Sequence, residues 1–123
     1  MKVVQTEFGT SIDILFNLDP YTARPIIVES DGVTADPKTG KKIVKAGSLL
    51  DKKGVIKNDG TVRYVLLKDV DVTYGDAAGA GVYRGTLNKT KIKKNTNVTI
   101  TEDAEKALKG IIFMSEEDLD YVV

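Results

Sequence analysis

The sequence contains neither Cys nor His, which removes thiolate nucleophiles, imidazole bases, disulfides and the N and S ligands that hold zinc. Carboxylates, lysine amines and tyrosine hydroxyls remain, and their spacing selects no catalytic set. Asp69-Val70-Asp71-Val72-Thr73 carries carboxylates two apart, as a calcium loop does, but Tyr74 stands where that loop's sharp turn needs glycine. The stretch reads instead as one solvated strand face. Gly79-Ala80-Gly81-Val82-Tyr83-Arg84-Gly85 has the spacing G-x-G-x-x-x-G, and the residues after it are strand-like, with no helix to receive a pyrophosphate. Thr39-Gly40-Lys41-Lys42 lacks the upstream glycine of a phosphate loop, Ala35 standing there, and the hydroxyl that would hold magnesium. It reads as a surface turn. Acid–base work by Glu116 and Glu117 would need a pocket and a shifted pKa, so a charged, exposed stretch is the simpler reading. The chain is expected to be no enzyme, with no cofactor and no metal.

Composition narrows the partners. Eighteen Lys and Arg balance eighteen Asp and Glu, so net charge points to neither nucleic acid nor an anionic membrane, and association with a partner should depend little on ionic strength. Five Tyr and three Phe are spread along the chain rather than gathered with Lys and Arg, which argues against a stacking platform for single strands. If the surface binds carbohydrate, Tyr64, Tyr74 and Tyr83 are the candidate contacts. No seven-residue apolar stretch accumulates between Met1 and Asp13, and runs such as Ile111-Ile112-Phe113-Met114 are far shorter than the roughly 20 residues of a membrane span. Synthesis as a soluble cytoplasmic chain is the expectation, and the sequons at Asn88 and Asn97 read as chance.

The 123 residues, 41% hydrophobic, suit one domain with a real core. Residues 1–20 alternate loosely and run into Asp19-Pro20, so they form either an N-terminal arm or a first strand. Residues 21–123 form a single β-rich domain. Ile26-Ile27-Val28 reads as a short strand, and the Gly, Pro and Asp clusters of residues 30–42 as an exposed loop. From Ile43 to Ile100 short apolar runs recur between turn signals, the pattern of an all-β sandwich or barrel. Lys52-Lys53-Gly54 and Asn58-Asp59-Gly60 frame a hairpin, Asp59-Gly60 suiting the positive φ of a type I′ turn. Val62 to Leu67 is apolar on both faces, as in a strand buried on both sides, whereas Val70, Val72 and Tyr74 alternate with polar residues. Ala77 to Gly81 reads as a turn into a strand at Val82–Asn88, whose glycine implies a bulge or close approach. One short helix is expected at about 102–109, with Thr101 as N-cap, acidic residues in its first turn and Gly110 left-handed beyond its end; a strand follows from Ile111.

Three stretches, taken in order, resemble the head decoration (capsid cement) proteins of tailed phages, including the lambda-type family. They are Lys45-Ala46-Gly47-Ser48-Leu49-Leu50, the run from Val65 to Asp76 that contains Asp69-Val70-Asp71-Val72-Thr73-Tyr74-Gly75-Asp76, and Val82-Tyr83-Arg84-Gly85-Thr86-Leu87-Asn88. The segment Ala104 to Phe113 is similar to the ending of such proteins from phages of Gram-positive hosts. Together they span about residues 43–114, and residues 1–42 carry no matching motif. The resemblance implies a mainly β fold, a small β-barrel or β-sandwich of β-tulip-like form with one short helix. It implies a structural virion protein, made in the host cytoplasm, that binds the exterior of the expanded capsid and clamps neighbouring copies of the major capsid protein. It also implies a homotrimer at local threefold positions, whose repeated contacts would combine by effective concentration. In that family the N-terminal segment orders on the capsid, often by adding a strand, and here Phe8, Ile12, Ile14 and Phe16 would line that augmented edge. The alternative function is a head-fibre or host-surface carbohydrate-binding module.

Overall fold

The strand Ala77–Asn88, β6, is the spine of the computed structural model, which describes residues 14, 15 and 20–115. Six shorter strands precede or follow it: β1 (Thr22–Val28), β2 (Ile43–Val44), β3 (Leu49–Asp51), β4 (Val62–Leu66), β5 (Val70–Asp71) and β7 (Ile111–Met114). Two helices stand between β6 and β7, α1 (Lys89–Thr96) and α2 (Glu102–Ala107). The main sheet runs β1-β6-β4-β3, all antiparallel, with β7 added parallel to the far end of β6. A second, two-stranded antiparallel ribbon pairs β2 with β5. The fold is mainly β, as expected, and sandwich-like; no closed barrel forms among the described residues. The first strand and the β3 turn are nonetheless joined where the Glu29 N–H donates to the Gly54 carbonyl (3.1 Å).

The central sheet is buried on both faces, and the alternation of side chains along its strands creates two cores. On one face Leu49, Val65, Val82 and Leu87 meet Ile92 from α1, Ala104 from α2 and Leu108. On the other, Leu50 and Leu66 meet Val28, Val44, Val70 and Val72 beneath the ribbon. Neighbours such as Leu49 and Leu50, or Val65 and Leu66, therefore point into different cores, since successive residues of a strand face opposite ways. This is why β4 carries buried apolar residues on both faces, although Arg63 within it is exposed.

Several local expectations change. Ala77 to Gly81 is strand rather than turn: it pairs in register with Arg24 to Val28 of β1. Its small residues are required by what lies over them, because a Cβ on Gly81 would sit 2.9 Å from the Tyr64 ring stem and from Ile26 Cδ1. Gly60 does not adopt a positive φ; Asp59 Oδ1 closes that turn by accepting from the Thr61 N–H (2.9 Å), while Lys52-Lys53-Gly54 makes the tight reversal that brings Ile56 opposite Leu50. The helix expected at 102–109 ends at Ala107, with Leu108 as C-cap, and Gly110 is not left-handed. Gly110 is instead a close approach, since a Cβ there would lie 2.6 Å from the Tyr83 carbonyl oxygen. Thr101 does cap α2, its hydroxyl accepting from the Ala104 N–H (3.2 Å).

Helix α1 is an element the sequence reading omits. Lys89-Thr90-Lys91-Ile92-Lys93-Lys94-Asn95-Thr96 has one apolar anchor, Ile92, so no hydrophobic stripe announces it. Its caps are its signal: the Asn88 side chain accepts from the Lys91 N–H (3.1 Å), and Asn97 takes the left-handed conformation (φ 60°) while its N–H returns to Lys93 O (2.7 Å). Asn88, read as a chance sequon, is buried and does this structural work.

Candidate functional site

The expected capsid-binding set falls apart at the one member the structure describes. Ile14 is 0% exposed and belongs to the helix-covered core. Its carbonyl accepts the Asn88 N–H (2.6 Å), and Leu15 bridges Leu87 antiparallel. At these two residues the chain is part of the sheet, and Ile14 is corrected from surface contact to core residue: an apolar side chain already enclosed gains nothing by presenting itself to a partner. Phe8, Ile12 and Phe16 lie outside the described residues.

Of the three candidate tyrosines, two are brought together. Tyr64 of β4 and Tyr83 of β6 pack edge to face, with ring centroids 6.5 Å apart at 87°, a favoured arrangement for aromatic quadrupoles. Arg24 of the edge strand β1 places its guanidinium carbon 5.8 Å from the centre of the Tyr83 ring, and its Nη1 makes a long contact with the Tyr64 hydroxyl (3.5 Å). That hydroxyl contact, and the charge a tyrosinate would carry, hold the arginine still more firmly in its cationic form. Tyr74 stands apart: it is fully exposed in the turn before β6, whereas Tyr83 lies midway along that strand.

The backbone explains the convergence. Both β4 and β6 carry a register irregularity here, at Arg63 opposite the Leu50/Asp51 step and at Tyr83 opposite the Thr22/Ala23 step. A bulge re-aims the side chains beside it. Tyr83 therefore touches Arg24 and Tyr64 while also lining, with Arg63, Arg84 and Lys109, a shallow groove of about 500 Å³ floored by Ala107, Leu108 and Gly110. Four cations and two tyrosines thus gather about these two irregularities, and among the described residues no carboxylate lines the groove. Arg63 is partly engaged by its own strand, donating to Val62 O (2.8 Å). Among the described residues the one ion pair is Lys89 with Glu105, so Arg24, Arg84 and Lys109 have no acidic partner there.

Tyrosine and arginine, expected to be dispersed, are gathered by the sheet. The legible signal is the mirrored pair Arg63-Tyr64 and Tyr83-Arg84 on two antiparallel strands. Such a surface has the chemistry to bind anions, since guanidinium forks pair with carboxylate, sulfate or phosphate and phenol hydroxyls can orient them.

The aspartates do different work. Asp36, Asp51, Asp59, Asp71 and Asp76 accept from backbone N–H groups within or between turns, and Asp69 accepts from Ala46 N–H (2.7 Å) across 23 positions. The stretch that resembles a calcium loop is a turn-former. Thr61 and Thr73 each give a hydroxyl and an N–H to their aspartate, which lowers the carboxyl pKa of Asp59 and Asp71 below the ordinary range. The ionised form is then favoured by folding, so its contribution is present above the unfolded pKa and is lost as pH falls toward the folded one. Acid titration of the thermal midpoint should show a decline on the acidic side of the ordinary aspartate range. Thr61→Val with Thr73→Val should flatten that decline, and an unchanged slope would mean other groups carry it.

No protein-family model, curated protein or solved structure matches this chain.

Proposed function

We propose that this chain is a structural, non-catalytic virion protein that binds the exterior of the expanded capsid of a tailed phage and stabilises it by clamping neighbouring capsid subunits. The observation that supports the reading most is the way the three stretches behind the resemblance interlock. Gly47 N–H donates to Leu66 O (2.7 Å), Leu66 N–H returns to Ser48 O (2.9 Å), Ala46 N–H meets Asp69, and Val65 pairs with Val82. Segments distant in sequence form one unit, as the resemblance requires of them. The cationic bulge around Tyr83 offers a surface for acidic groups on a capsid subunit. In a trimer at a local threefold position it would be presented three times, so that modest single contacts give slow dissociation.

The test is the copy number of the chain in purified particles, by quantitative mass spectrometry against the major capsid protein. Near-equimolar amounts are expected for a decoration lattice. A handful of copies moves the reading to a fibre or tail component, and absence overturns it.

The Tyr64–Tyr83 pair favours a second reading, a carbohydrate-binding module of a head fibre or host-surface adhesin. Glycan-array binding that is lost in Tyr83→Ala, without binding to capsids, would select it. Because Arg24 already covers one face of Tyr83, that module would take an anionic sugar more readily than a neutral one.

A further inference from the structure

Between α1 and the segment that leads to α2 lies a second groove, of about 390 Å³. Val98 and Ile100 give it apolar lining, Lys89, Lys93 and Lys94 give it cations, and Ser115 lines it as well. Lys89 is already paired, its Nζ 2.8 Å from Glu105 Oε2, whereas Lys93 and Lys94 are exposed and have no carboxylate partner among the described residues. Val98 is 43% exposed although it is a β-branched apolar residue. The groove thus offers two free cations above an apolar surface. Its complement is a peptide with carboxylates and bulky apolar side chains in close alternation.

The sequence holds such a peptide directly after Ser115, a residue that lines the groove. After Ser115 come Glu116, Glu117, Asp118, Leu119, Asp120, Tyr121, Val122 and Val123: four carboxylates, then mostly apolar residues. We propose that this groove is a peptide-docking site and that its occupant is the segment 116–123 of the same chain. Carboxylates would meet Lys93 and Lys94, and Leu119 or Tyr121 would cover Val98. Eight residues can span roughly 26 Å, ample for a groove lined by the residue they follow. Tethering supplies an effective concentration on the order of millimolar, which favours the same chain over a neighbour's. This inference does not depend on capsid attachment.

Zero-length carbodiimide coupling of the full chain, prepared as an equal mixture of ¹⁴N and ¹⁵N protein and mapped by mass spectrometry, tests it directly. The formed pair Lys89–Glu105 is an internal reference for coupling. Expected are isotopically unmixed links from Lys93 or Lys94 to Glu116, Glu117 or Asp118, at yields comparable with that reference. Isotopically mixed links would mean that a second copy's segment seats there, which overturns the same-chain occupant. Links scattered over the lysines without preference overturn the site. In the full-length chain carrying Leu119→Ala and Tyr121→Ala the preferred links should fall about fivefold or more, because the apolar contacts are lost while the charges remain. An unchanged yield there would reduce the effect to diffuse attraction and overturn docking on the apolar lining.

Discussion

Gly54→Ala is expected to be strongly destabilising. Gly54 holds a φ of 87°, in the left-handed region that costs a non-glycine residue roughly 1 kcal/mol. The larger effect is steric. A Cβ at this position would collide with the Ile27 carbonyl oxygen and lie within 3.0 Å of the Ile27 carbonyl carbon, both backbone atoms of β1 that cannot swing aside. Relief requires the 52–55 turn to lift away from β1. That movement breaks the Glu29 N–H to Gly54 O bond, which is the tie between the edge strand and the β3 hairpin, and strains the Gly54 N–H to Asp51 O bond (3.0 Å) that closes the turn. Strain, overlap and lost bonds together give an expected loss of about 4 kcal/mol, large against the 5 to 15 kcal/mol of a typical domain. Gly40→Ala is the matched control: its φ of 72° carries similar backbone strain, but a Cβ there meets nothing within 4 Å. Urea unfolding should place the Gly40 variant within about 1 kcal/mol of the parent chain and the Gly54 variant far below it. Equal losses in the two variants would mean that the contact with β1 has no energetic weight.

The contrast between those glycines also marks what sequence can and cannot carry. Both stand in turn clusters, and both are legible as turns. Which of them touches another strand depends on the curl of the sheet: its order, β1-β6-β4-β3, sets β1 and β3 at opposite edges, and the Glu29–Gly54 bond joins them across that curl. The loop of residues 30–42, the Val62–Leu66 strand with apolar residues on both faces, the Thr101 cap and the strand from Ile111 all express local pattern, and all are readable. Helix α1 is not, because one buried isoleucine gives no periodicity and the helix is held by Asn caps at both ends. The Ala77–Gly81 strand is hidden by the same small residues that let Tyr64 lie against it. The candidate site is half legible: Tyr64 and Tyr83 can be named, but only two bulges in neighbouring strands reveal that Arg24, Arg63, Arg84 and Lys109 stand around them.

Ile14→Ala should cost about 3 kcal/mol, as is usual for an aliphatic side chain truncated in a packed core. Ile14 is fully buried against the helix-covered face of the sheet, its carbonyl receives the Asn88 N–H, and Asn88 in turn caps α1. A cavity at this point therefore loosens the joint between β6 and α1 as well as the core itself. For a domain of this size the thermal midpoint should drop by roughly 10 °C. An unchanged midpoint would return residue 14 to the arm. The consequence for capsid attachment is specific. Deleting residues 1–17 would remove Ile14 and Leu15 with everything before them, so loss of binding in that variant would report unfolding as readily as loss of an attachment arm. Phe8→Ala in the full chain separates the two. If an augmented strand holds the protein on its capsid, this variant should keep the parent's midpoint and lose capsid binding at least tenfold, since burying an aromatic side chain is worth more than the roughly 1.4 kcal/mol of one decade. Retained binding with an intact fold would leave the Arg24–Tyr83 surface as the attachment face, and Arg84→Glu would then be the variant that releases it.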